Sequence, residues 1–153
     1  DGPENRRYLR GPYRDYPGCP LNYIDRSRPG DKARFVAVVG PGTAFGDGKP
    51  WRFDELPDNA LLVVEVRGCQ AHWMEPGGDL DIRTMPHEIG GEGCIGPAGG
   101  DRPEFYIGFA DKSVWLLRAE APFKVLSRFF RVEEARQQDR DSALGPYAIQ
   151  IWK

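Results

Sequence analysis

The sequence predicts an α+β domain, an antiparallel β-sheet with one packed C-terminal helix and long Gly/Pro-rich loops. Three observations carry that expectation. RFVAVVG at 34–40 and ALLVVEV at 60–66 are short, β-branched apolar runs bounded by turn residues, the mark of largely buried strands. Phe123, Leu126 and Phe130 recur at helical spacing behind Pro122, and proline suits the first turn of a helix. The 19 glycines and 14 prolines of the 153 residues make about a fifth of the chain, against roughly an eighth in average usage, which requires many turns and ordered loops.

Residues 1–31 are rich in Pro, Gly, Arg and Tyr with no sustained period. They read as an extended arm laid over the core, and residues 32–153 as a single globular domain. GPGTAFGDGKPWRFDELPDN at 40–59 is the loop between the first two strands. Two further strands follow at 104–110 and 113–118, joined by a two-residue turn of Asp111 and Lys112. Glycine takes positive φ freely in such a turn, whereas Lys112 must accept a steric cost. The helix that begins at Pro122 packs its aromatic side on the sheet, and the polar stretch EEARQQDRDSA either frays or continues it in solvent. YAIQIWK sets Tyr147, Ile149 and Ile151 against Ala148, Gln150 and Trp152, a period of two that predicts a last strand at a sheet edge.

Composition narrows the function classes. The net charge is -2, from 21 basic and 23 acidic residues, so no global field draws nucleic acid or anionic membrane. No stretch approaches the roughly 18 apolar residues of a membrane span. Cys19, Cys69 and Cys94 lack C-x-x-C spacing, which leaves either one disulfide of undetermined pairing with a leftover thiol, or three buried thiols.

Several groups could carry chemistry. His72 and Glu75 in HWMEP, with Asp79 and Asp81 behind them, offer a nitrogen and several oxygens to a ligand or cation. Calcium is the ion such a glycine-rich acidic loop would take, but the EF-hand pattern is missing and structural turn-capping is the simpler account. Trp51 and Trp73 are the loop tryptophans suited to an exposed sugar or protein contact. Cys69 lies three residues before His72 without the sequence of a cysteine protease, and GPGTAFGDG fits neither the phosphate loop nor the dinucleotide fingerprint. Glu65 is the most unusual carboxylate, set inside VVEV. Alternation groups it with Leu61 and Val63, and burial there requires a cation such as Arg67, Arg34 or Arg118, or backbone amides. These signals predict no catalytic residues and no cofactor other than calcium.

Three stretches carry a family resemblance: FVAVVGPGTAF at 35–45, NALLVVEV at 59–66 and HWMEPGGDL at 72–80. They resemble the V-x-VVGPGTAF, I-L-VVEV and HW-x-EP-x-DL segments of the planctomycete pseudopilin-like secreted proteins grouped as domain of unknown function 1559. IGFADKSVWLL at 107–117 resembles that family's F-A-D-G-S-V-R-F-L hairpin, and APFKVLSRFF the short helix after it. The family's His, nine residues, Asp-Gly motif is degraded here, since Asp101 stands at the histidine position and Lys112 replaces the glycine. Where relatives carry a long apolar helix, this sequence reads DGPENRRYLRGPYRDYPG. The resemblance implies a pilin-head-like fold at the cell envelope, periplasmic or extracellular, in a non-enzymatic subunit with protein partners in a larger assembly. Without the polymerising helix, joining would use loop contacts or strand addition at a sheet edge. Export would favour one disulfide among the three cysteines. The alternative is a glycan or small-solute binding module, with calcium as its ion.

Overall fold

A computed structural model of the chain describes residues 33–46, 51–71, 78–98 and 102–153. The arm expected at 1–31 lies outside the described residues. Strand β1 (Phe35–Val39) alternates half-buried and buried positions, as its VAVV pattern dictates. It pairs antiparallel with β2 (Leu61–Glu65), Val36 opposite Val64. On the other side of β1 lies β3 (Leu80–Asp81), a two-residue strand that runs parallel to it. Strand β4 (Glu104–Phe109) pairs antiparallel with β2, β5 (Val114–Arg118) with β4, and β6 (Ala148–Trp152) with β5. The spatial order is β3-β1-β2-β4-β5-β6. The protein is therefore an α+β fold on a mixed six-stranded sheet, antiparallel except for β1 and β3.

One face of that sheet makes the core. Val36, Val38, Leu61, Val64, Phe105, Ile107, Phe109, Trp115 and Leu117 point to a common side, where Leu126, Phe129, Phe130 and Leu144 cover them. Phe109 meets Trp115 and Phe129 edge to face, with ring centroids 5.8 and 6.2 Å apart, the favoured geometry for aromatic quadrupoles. Burying each of these large side chains contributes about 1.5–3 kcal/mol.

The covering helical layer departs from the single amphipathic helix predicted. It consists of α1 (Phe123–Leu126) with a 3-10 turn at Ser127–Phe129, then α2 (Val132–Ala135) and α3 (Arg140–Leu144). The break at Arg131 has a tertiary cause. Arg131 is extended, at φ -94 and ψ 134, because it bridges to Thr43, while Val132 N–H donates to Gly42 O at 2.8 Å. The glycine turn after β1 thus interrupts the helical run and turns both Phe129 and Val132 into the core. Asn59 caps the end of α2, its Nδ2 donating to Ala135 O at 2.7 Å and Gln138 O at 2.9 Å. Asp139 caps the start of α3 by accepting from Asp141 and Ser142 N–H.

The β4–β5 connection also differs from expectation. Lys112 N–H donates to Phe109 O at 3.1 Å and Phe109 N–H to Ser113 O at 3.0 Å. The loop therefore has three residues, a type I turn followed by Lys112 at φ 68 in the left-handed region. The two-residue turn fails because Asp111 is needed elsewhere: its carboxylate folds back onto Ser113.

Candidate functional site

Glu65 is completely buried, and its surroundings follow from an irregularity in β2. Leu61 opposes Phe109 while Val63 opposes Gly108, so one extra residue sits between them. The bulge leaves both Leu61 and Val64 on the core face. Glu65 consequently shares Val63's side of the sheet and not Leu61's, which corrects the simple alternation. On that side its Oε1 accepts from Arg34 Nε at 3.0 Å, Arg102 Nη2 at 2.5 Å and Ala98 N–H at 2.8 Å. Its Oε2 accepts from Tyr106 N–H at 2.9 Å. Of the cations expected beside it, Arg34 is present. Arg67 instead donates to Gly90 O and Arg118 lies by Glu120, and the second guanidinium belongs to Arg102. Nothing in the sequence marks Arg102 as a partner, since it lies 37 residues away and precedes an unremarkable strand.

Above this cluster the non-core face of the sheet forms a concavity of about 710 Å³, lined by Phe35, Val63, Tyr106, Gly108 and Val114 with Arg34 and Arg102. Phe35, Tyr106 and Trp152 make a row across β1, β4 and β6, with centroids 6.3 and 5.9 Å apart. The guanidiniums of Arg34 and Arg102 each lie 5.8 Å from the Tyr106 ring centroid, a cation–π geometry. This is the aromatic surface that sequence reasoning missed. Period-two spacing is readable within each strand, but the alignment of three strands is not.

A second carboxylate–arginine pair holds the β4–β5 hairpin to α3. Asp111 Oδ2 accepts from Arg140 Nη2 at 2.7 Å, and Oδ1 accepts from the N–H and hydroxyl of Ser113. Burial pushes the Asp111 carboxyl up, but hydrogen bonds from Arg140 and Ser113 and the charge of Arg140 outweigh it and hold the group down at about 2. The same guanidinium lies 4.6 Å from the Phe109 centroid and 4.9 Å from that of Trp115.

The described residues among those expected to bind or react each serve a local structural contact. His72, Trp73, Glu75 and Cys19 lie outside the described residues. Trp51 is half-buried with the Arg136 guanidinium over its ring at 5.8 Å, which pins its loop to α2. Asp79 accepts from Ala37 N–H at 3.3 Å. Asp81 binds Arg83 through side chain and backbone, and those bonds hold its carboxyl below the usual range. Among the described residues no group of three or more His, Cys, Asp and Glu side chains converges as a metal site. Cys69 and Cys94 are free thiols. Burial pushes the Cys94 thiol up, reinforced by its hydrogen bond to Glu88, which is the opposite of nucleophile activation. His87 stacks on Phe123 at 5.3 Å.

The sheet ends differently at its two sides. At one side β3 is two residues long, preceded by Asp79 and ending on Asp81, which is ion-paired to Arg83. At the other, β6 has five residues and, among the described residues, a strand partner on one side only. Ile149, Ile151 and Trp152 on it are 46%, 42% and 39% exposed. No described helix is long and apolar enough to cross a membrane. No protein-family model matches the chain, and neither a curated protein nor a solved structure matches it.

Proposed function

We propose that the protein is a non-enzymatic interaction subunit that joins a larger assembly by strand addition at β6. The edge that β6 leaves open among the described residues, with its exposed Ile149, Ile151 and Trp152, carries this reading, because backbone groups without a strand partner beside apolar side chains are a template for another strand. The non-enzymatic part is supported by the use made of two carboxylates, one buried and one largely buried. Glu65 and Asp111 commit their oxygens to arginines and amides that hold the fold together. The resemblance of residues 35–45 and 59–66 to pseudopilin-like secreted proteins supports a pilin-head-like role at the cell envelope, periplasmic or extracellular. Affinity purification of the endogenous protein under mild conditions, with mass-spectrometric identification, tests the reading. It expects stoichiometric protein partners, a second copy of the chain counted among them, and recovery of the protein as a lone monomer would sink it.

A second reading, a glycan or small-solute binding module, is favoured by the concavity beside Phe35, Tyr106 and Trp152. Its volume lies within the range of ligand sites. Calcium, in this reading, would draw on Asp79 and Asp81. Titration of the protein with glycans by calorimetry, with and without calcium, expects heats that Tyr106→Ala abolishes, and silence across a broad panel would retire it.

A further inference from the structure

The strand that β6 accepts is, we infer, β6 of a second copy, giving a two-fold dimer with one continuous twelve-stranded sheet. This rests on the reading of β6 as an assembly edge and names its partner. Phe109 N–H donates to Ser113 O, so by alternation Ile107 and Trp115 are a bonded pair of the β4–β5 ladder. Trp115 therefore turns its backbone groups to β4. Val114 and Leu116 turn theirs to β6, toward their partners Trp152 and Gln150. Ile151, opposite Trp115, is left with its N–H and C=O facing away from the sheet.

The side chains fit a two-fold arrangement. An antiparallel pairing centred on Gln150 sets Ile149 of each copy opposite Ile151 of the other, so the exposed isoleucines cover one another. Nothing charged opposes it, since residues 145–152 read GPYAIQIW and the first charge is Lys153. Natural open edges are commonly guarded by lysine, proline or a bulge that turns the strand away. The irregularity that β6 does have is Ile149, the extra residue between Ala148 and Gln150; it falls at the rim of the two-fold pairing, whose axis at Gln150 lies in the regular stretch 150–152.

The other edge of the sheet selects the partner. Head-to-tail pairing of β6 with β3 would continue into an open filament. That edge is closed to it: β3 offers two residues, and the Asp81 carboxylate is held there by Arg83. Among the described sheet edges only a second β6 presents a long uncharged strand, and pairing like with like closes after two copies. A five-residue strand with three exposed apolar side chains belongs with the small interfaces, below about 1,200 Å² in total, so the dimer is weak and concentration-dependent.

The test is sedimentation equilibrium of the intact chain from about 1 to 500 µM, a span that brackets dissociation constants of weak complexes. Wild type is compared with Ile151→Pro and Ile151→Lys. Proline deletes the outward N–H without touching the β5 ladder, a position edge strands tolerate. Lysine keeps the N–H and places a charge opposite Ile149 of the other copy. Thermal melts establish that both variants fold. The expected result is a monomer–dimer equilibrium for wild type, shifted at least tenfold toward monomer in both variants. A wild type that stays monomeric throughout overturns the second-copy inference, as does a dimer indifferent to both substitutions. The purification from cells then separates the two failures: stoichiometric partners captured by monomeric wild type leave the assembly reading standing with a different occupant, and their absence removes both.

Discussion

Glu65 and Asp111 are both carboxylates clamped by arginine, and the three clamping guanidiniums of Arg34, Arg102 and Arg140 all lie over aromatic rings, yet they hold different things. Glu65 gathers Arg34, Ala98, Arg102 and Tyr106, which stand 31 to 41 residues away in sequence. Asp111 gathers its neighbour Ser113 and the distant Arg140, and its side chain stays 21% exposed. The buried site ties the start of β1, the 96–98 loop and the start of β4 to β2 at one point. The half-buried site closes a hairpin and docks α3 on it. Depth sets the difference: with no water to compensate, every partner of Glu65 is obligatory, whereas Asp111 can re-solvate when one is lost.

Removing the buried carboxylate should be the most damaging change. Glu65→Ala leaves two guanidiniums and two amides without their acceptor and should cost about 3–5 kcal/mol. Denaturant unfolding reads this as a lower midpoint at unchanged slope. Glu65→Gln keeps an oxygen for the amides and should lose less. Equal stability of the Glu65→Gln variant and wild type would show that the charge contributes nothing and that hydrogen bonding alone does the holding.

At the half-buried site the expected effect is smaller and depends on pH. The folded-state value of Asp111, about 2, lies below the ordinary 3.8. Its stabilisation is therefore present in full above about pH 4 and disappears as pH falls through about 2. The shift corresponds to about 2 kcal/mol. Asp111→Asn should lose roughly that at pH 7 and lose progressively less relative to wild type as pH drops toward 2. A constant difference across that window would mean that the pair acts through packing and not through charge.

Arg140→Lys sharpens the comparison further. It preserves the charge but removes the planar fork that reaches Asp111 and Ser113 while lying on Phe109 and Trp115. A loss of about 1 kcal/mol is expected in denaturant unfolding, and full retention would assign the role to charge alone. The smallest effect belongs to Lys112, whose left-handed φ of 68 costs more than glycine would. Lys112→Gly should stabilise by about 0.5 kcal/mol, part of the gain being offset by unfolded-chain entropy. A destabilised glycine variant would point to a contact of the lysine side chain in the hairpin.

Much of the scaffold was legible residue by residue. The runs at 34–40 and 60–66, the hairpin near Asp111 and the alternation of YAIQIWK each appear as strands where local pattern placed them, because side-chain period is a property of a few adjacent residues. The helix was legible at Phe123 and Leu126 and failed at Arg131, where a bridge to Thr43 overrode helical propensity. Glu65 was legible as a residue needing a cation, and Arg34 as one that could serve. Arg102 and the aromatic row of Phe35, Tyr106 and Trp152 were not, because neighbours across strands are set by register.

By itself, then, the sequence determined five of the six strands, that a carboxylate inside VVEV needs neutralising partners, and that the last strand carries no charge before Lys153. Only the tertiary structure decided that β3 runs parallel to β1, that a bulge puts Glu65 and Leu61 on opposite faces, and that β6 is the last strand of the described sheet. The physical reason is range. Periodicity, turn chemistry and charge act over a few residues and are written locally, whereas sheet order, register and the meeting of Arg102 with Glu65 depend on which distant segments bury the most surface together.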